Sequence, residues 1–150
     1  DPLEIQLKRL RAPKKICLSD HALRAATLRE RVPLVGDADA KTSGLAGRIA
    51  EGIVGAYIAS MPGLGVAWRP ERPKKPELDF VLTVGDRRIP VEVKYQARID
   101  PVRDAAVLRG YLDDLGPRAP LGLLVTRDDT RGVDDPRIVA LPLASLLLLR

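Results

Sequence analysis

Glu92-Val93-Lys94 sets a carboxylate and an ammonium two residues apart, and a second carboxylate, Asp79, lies where a tight reversal would bring it alongside. Gly85-Asp86 is a strong signal for a two-residue hairpin loop with Gly at the first central position. If Val84 and Arg87 close that loop, counting outward sets Asp79 opposite Glu92. Alternation puts Phe80, Leu82, Val84, Ile89, Val91 and Val93 on one apolar face. Asp79, Val81, Thr83, Arg88, Pro90, Glu92 and Lys94 take the other. Pro90 then falls in a non-hydrogen-bonded pair, where its missing N–H costs nothing within the hairpin. Asp79 and Glu92 also form such a pair, and two opposed like charges there cost up to about 1 kcal/mol. A hard divalent ion bound by both acids relieves that repulsion. Lys94 can then orient a water or offset charge growing on a pentacovalent phosphorus.

Two further acids belong to the same reading. Glu51 sits on an expected helix with Gly47 and Gly55 one turn to either side, a strip without side chains that allows close approach to a sheet or ligand. Glu77 precedes Asp79 by two residues and is a spare acid. Arg69, Arg72, Lys74 and Lys75 lie just before Asp79, in a segment with prolines at 70, 73 and 76 that reads as an extended, exposed loop. These cations can grip a phosphate backbone, which fixes position but not sequence. Trp68 and Tyr95 are the aromatics near enough to stack a base.

The elements that must position these residues follow from patterning. Ile16 and Leu18 read as a short strand, and Ser19 or Asp20 caps a helix from His21 to about Arg31. Residues 37–44 read as a loop. The clearest helix runs from Leu45 to Ser60, with Leu45, Ile49, Ile53, Ala56 and Tyr57 on one side. Strands are expected at Val66 to Arg69, Leu78 to Val84 and Arg87 to Tyr95. A helix from Pro101 to about Leu115 carries an apolar stripe of Ala105, Leu108, Tyr111, Leu112 and Leu115. Buried strands at Leu121 to Thr126 and Ile138 to Leu141 complete a mixed central sheet flanked by helices. The expected organisation is a small N-terminal appendage over residues 1–40 and one α/β domain over residues 41–150.

The 150 residues are 45% hydrophobic and 30% charged, a composition that excludes disorder, and no apolar run is long enough to span a bilayer. A cytoplasmic protein with no membrane partner is expected. The net charge of +5, with eighteen Arg among twenty-five cations, favours a polyanionic partner. Cys17 is the single cysteine and His21 the single histidine. Intrachain disulfides, cysteine-built zinc sites, histidine clusters and Ser-His-Asp triads therefore have no support. Cys17 itself reads as a small buried hydrophobe. The start at Asp1 and the apolar stretch before Arg150 fit a piece of a longer polypeptide.

Glu77-Leu78-Asp79-Phe80, then Val91-Glu92-Val93-Lys94-Tyr95, with a helical Glu51 upstream, resembles the PD-(D/E)xK nuclease superfamily, whose αβββαβ core maps onto Leu45 to Thr126. Lys14-Lys15-Ile16-Cys17-Leu18-Ser19-Asp20 extends the likeness, over Lys14 to about Leu141, to a C-terminal domain of uncharacterised function in prokaryotic AAA+ ATPases. His21 and Ala22 depart from that pattern, and no phosphate-binding Gly-x-x-x-x-Gly-Lys motif is present. The resemblance implies a restriction-endonuclease-like fold and magnesium- or manganese-dependent hydrolysis of DNA. Asp79 and Glu92 would hold the metal, Lys94 would assist the nucleophile and Glu51 would be the accessory acid. An ATPase domain in the full chain and a homo-oligomer are the partners it leaves open. The competing expectation is a noncatalytic regulatory module that keeps the fold and uses its basic surface.

Overall fold

The computed structural model describes residues 14–18, 20–29, 40–96, 98–128 and 133–149. Its centre is a five-stranded mixed sheet in the order β1-β2-β3-β4-β5: Gly65–Arg69, Leu78–Val84, Arg87–Lys94, Gly122–Thr126 and Ile138–Pro142. The first three strands are antiparallel, and β3, β4 and β5 run parallel. This is the expected mixed α/β architecture. The direction changes at β3 because Gly85-Asp86 closes a tight hairpin, with Gly85 at φ 59, whereas the next connection is long enough to cross over.

Helices cover both faces of the sheet. On one, α2 (Ala40–Ala59) and α4 (Leu143–Leu146) bury Ala50, Val54, Ile58 and Leu146 against Phe80, Leu82, Val91 and Val125. On the other, α3 (Ala106–Leu115) buries Leu108, Tyr111 and Leu112 against Leu78, Val81 and Leu124. The hairpin face carrying Val81, Pro90 and Glu92 is thus covered, and those three residues are buried.

Several elements differ from expectation, each for a local reason. Residues 14–18 form no strand, because no neighbouring strand pairs with them. Instead they cross the α2 side of the sheet as an arm. It leads to α1 (His21–Leu28), whose N-cap is Asp20, accepting from the Ala22 and Leu23 amides, and which ends at Arg29 in the left-handed region. The expected extension to Arg31 lies outside the described residues, as do residues 37–39 and Ser19. Helix α2 already includes residues 40–44, which the sequence suggests as loop. Its buried stripe is Ala50, Val54 and Ile58, with Ile53 and Tyr57 on the flank. Helix α3 starts at Ala106 rather than Pro101, because Asp100 accepts from the Val102 and Arg103 amides and holds the chain in turns first.

The proline segment is folded back rather than extended. Arg72 and Lys75 exchange two backbone hydrogen bonds of 2.9 Å around Pro73-Lys74, and Lys74 has φ 65. Pro at the first central position and a positive φ at the second are the marks of a type II turn.

The glycines of α2 are unequal. A Cβ on Gly55 would meet the Cys17 sulfur and two Phe80 ring atoms at 2.8 and 2.9 Å, and one on Gly52 would meet His21 Cε1 at 2.7 Å. Gly47 has nothing within 4 Å among the described residues, so only Gly55 serves the close approach expected of the pair. Gly55→Ala is expected to lower stability by about 1–3 kcal/mol through overpacking, despite better helix propensity. Urea unfolding would show it, and an unchanged or raised midpoint would mean the arm yields without cost.

Candidate metal centre

Between β1 and β2 the register shifts, from Ala67 with Val81 to Arg69 with Leu78. Such an irregularity re-aims side chains. Leu78 and Val81 consequently pack toward α3, while Phe80 and Leu82 pack toward α2. Alternation slips within this stretch, and Asp79 is the residue at the slip. The described β2–β3 pairs run from Val84–Arg87 to Phe80–Val91, and the expected pairing of Asp79 with Glu92 is not among them. Asp79 uses its side chain instead: Oδ2 accepts from the Val93 amide at 2.9 Å, and Oδ1 faces Lys15 Nζ at 3.0 Å.

This re-aiming gathers three acids. Carboxylate oxygens of Glu51, Glu77 and Asp79 lie within 4.8 Å of one another, a group that could hold a metal ion. Helix α2 supplies Glu51, β2 supplies Asp79, and Glu77 comes from the residue just before β2. Glu77, only a spare acid by its place in the sequence, is a full member.

Glu92 and Lys94 form the adjoining pair. Lys94 Nζ donates to Glu92 Oε1 at 2.6 Å, so alternation does place these two on one face. The Glu92 side chain is only 6% exposed, and its Oε2 is buried without a hydrogen-bond partner among the described residues. Burial first, and then the Asp79 charge, push the Glu92 carboxyl up to about 7, against the pull of Lys94. Burial works against the charge of Lys94 too, but Glu92, Asp79 and Asp104 outweigh it and hold the ammonium above its ordinary value. Both shifts favour the protonated group, although Lys94 is raised by the Glu92 charge and Glu92 is raised by the burial of that same charge. Burial dominates at Glu92, because Lys94 is 31% exposed and keeps part of its hydration.

The pair sits at the carboxyl ends of parallel strands, with Lys94 opposite Thr126 across β3 and β4. Ligands of α/β sheets are bound at such ends. Just beyond, Asp104 Oδ2 accepts from Gln96 Nε2 at 2.6 Å and from the Asp100 amide at 2.8 Å, which ties down the segment leaving Lys94.

Sequence reasoning assigns no role to Lys15. Its ammonium pairs with Glu51, with Glu77 at 3.1 Å and with Asp79 at 3.0 Å, and it lies over the rings of Phe80 and Trp68 at 4.9 and 5.5 Å. Burial opposes its charge, yet Glu51 and Asp79 raise its proton affinity well above the ordinary value. Burial is also the main reason the Cys17 thiol is pushed up; it packs beside Gly55 and the α2-side core but is half-buried rather than buried as expected.

The four basic residues before β2 divide. The Arg69 guanidinium stacks 5.0 Å from the Tyr111 ring centroid and donates to the Pro76 carbonyl. Lys75 pairs with Asp114 on α3 at 2.8 Å. Arg72 and Lys74 are exposed at the turn. Of the two candidate base-stacking aromatics, Trp68 faces Lys15, and Tyr95 packs against the α2-side core.

No helix among the described residues is long and apolar enough to cross a membrane. Residues 46–146 match the family model of a domain of unknown function, DUF4143. No curated protein matches the chain. The matched segment contains Glu51, Glu77, Asp79, Glu92 and Lys94, but not Lys15.

Proposed function

The chain belongs to the DUF4143 family, a domain of unknown function, and from the geometry of its acidic site we propose that it is a metal-dependent phosphodiesterase acting on DNA. One observation carries this reading: three clustered carboxylates lie beside a buried glutamate, coupled to Asp79, that has an oxygen without a partner among the described residues. An unsatisfied buried carboxylate oxygen costs stability unless something binds it, and acids this close repel. A magnesium ion, or manganese in its place, answers both demands, since hard cations take carboxylate oxygens.

Asp79, with Glu51 and Glu77, would hold the ion, and Glu92 would turn its free oxygen toward it. The metal would supply Lewis acidity at phosphorus and a more acidic water. The protein supplies the rest. Lys94, tethered by Glu92, presents an ammonium at the carboxyl end of β3, where it can orient a water and neutralise developing negative charge. Arg72 and Lys74 at the turn are available to a phosphate backbone, while Arg69 and Lys75 already engage Tyr111 and Asp114. The order of α2, β1, β2, β3, α3 and β4 is that of the PD-(D/E)xK core, which supports a restriction-endonuclease-like reading, and with it an origin in an AAA+ ATPase chain.

A second reading has its own observation. Lys15 already neutralises part of the acidic cluster, as a module that binds partners without cutting would allow. Calorimetric titration with Mn²⁺ separates the two. Wild type is expected to bind, and Asp79→Asn, which keeps an acceptor for the Val93 amide but loses the charge, to bind at least tenfold more weakly. Equal heats for both proteins, with no cleavage of DNA by either, would leave the noncatalytic module.

A further inference from the structure

We propose that Lys15 is a built-in counter-cation that closes the acidic site, and that the arm carrying it must withdraw before a divalent ion can bind. This rests on the metal-site reading above and adds its regulation. The ammonium lies against the same three carboxylates that would ligate the ion, at 3.0 and 3.1 Å from Asp79 and Glu77 and in contact with Glu51. Magnesium sits about 2.0–2.1 Å from its oxygens, so ion and ammonium cannot share this space, and their charges repel. Occupancy is exclusive.

Three carboxylates share this one ammonium, and Glu92, which feels the Asp79 charge, keeps an Oε2 without a hydrogen-bond partner among the described residues. A purely structural lysine would satisfy what it touches. The aromatic walls add to its hold, since an ammonium over Trp68 and Phe80 gains cation–π attraction.

Apart from Lys15 and Cys17, the arm is exposed. Residues 14–18 join no sheet or helix, and Ile16 and Leu18 are 83% and 44% exposed. Its anchors are Lys15 in the acidic site and Cys17 against Gly55 and Phe80. Segments with so few buried contacts open at low cost, as movable elements do. Release of the arm therefore need not unfold the sheet.

Trp68 is the only tryptophan in the chain and reports on the ammonium beside it. Magnesium is titrated into wild type and Lys15→Met, following Trp68 emission and binding heat. Lys15→Met is expected to bind at least tenfold more tightly. Its ion-free emission should already resemble that of magnesium-loaded wild type. Hydrogen exchange on the unaltered protein gives a second readout that does not depend on the variant folding: amides at 14–18 should exchange several-fold faster with magnesium than without. Equal affinities, together with unchanged exchange at 14–18, would overturn the counter-cation while leaving the metal site standing. Absence of binding by both proteins would remove the metal reading, and this inference with it.

Discussion

Lys94→Met is expected to lower metal-dependent DNA cleavage by about 10²–10⁴-fold without weakening Mn²⁺ binding, because the ammonium contributes to the reaction and not to the ligand set. Methionine keeps the stem that packs at the end of β3 and removes the charge. The loss has a predictable side effect. Glu92 Oε1 would lose its 2.6 Å partner beside an Oε2 that has none among the described residues. Ion-free stability should therefore fall, by less than the roughly 3–5 kcal/mol seen when fully buried pairs are broken, since Lys94 is partly exposed. Metal should restore much of it, because a ligand that binds only the folded state stabilises by mass action. Single-turnover cleavage with the metal saturated, alongside thermal unfolding with and without Mn²⁺, separates the two roles. Cleavage that survives the substitution within a few-fold would remove Lys94 from the chemistry.

The hairpin shows how far local rules reach. Gly85-Asp86 sets the register as far as Phe80–Val91, each pair as counted from the turn. The counting fails one residue later, at Asp79, because the decisive irregularity lies in the pairing of β2 with β1, not in the hairpin. Nothing near Gly85 encodes that slip. It depends on where Gly65–Arg69 docks, and so on tertiary packing. Lys15 is out of reach for a related reason: it lies 64 positions from Asp79, and short-range patterning says nothing about so distant a pair. A basic pair, Lys14-Lys15, followed by the apolar Ile16-Cys17-Leu18, looks like any surface strand. Its meaning appears only when three acids converge around its ammonium. The helices are more legible because their signals are local. Asp20 caps α1 as its side-chain chemistry requires, and Leu108, Tyr111 and Leu112 fall on one buried side of α3. The proline segment misleads because Pro73 suits the first central position of a tight turn as well as it suits an extended loop.

Glu92→Gln is expected to flatten the pH dependence of stability between about pH 4.5 and 7. In the folded protein burial and the Asp79 charge raise this carboxyl to about 7, whereas in the unfolded chain it returns to its ordinary value of 4.5. Between those values the folded state holds a proton that the unfolded state has released. Folding is thus most favoured below the unfolded value, and stability declines as the pH climbs through the folded one. The loss is on the order of 3 kcal/mol, at about 1.36 kcal/mol for each pH unit separating the two values. Solvent screening takes little from this, because the side chain is almost wholly buried. Glutamine has no proton to lose, so the wild-type slope minus the variant slope reports Glu92 together with the Asp79 and Lys94 charges it is coupled to. Magnesium should act in the opposite sense, favouring the ionised carboxylate and stabilising wild type far more at pH 7.5 than at pH 5. Urea unfolding of both proteins across this range, with and without the ion, measures both effects. Parallel curves for wild type and variant would mean that Glu92 keeps an ordinary proton affinity in the fold. The unpartnered oxygen would then have found a partner in water rather than waiting for a metal.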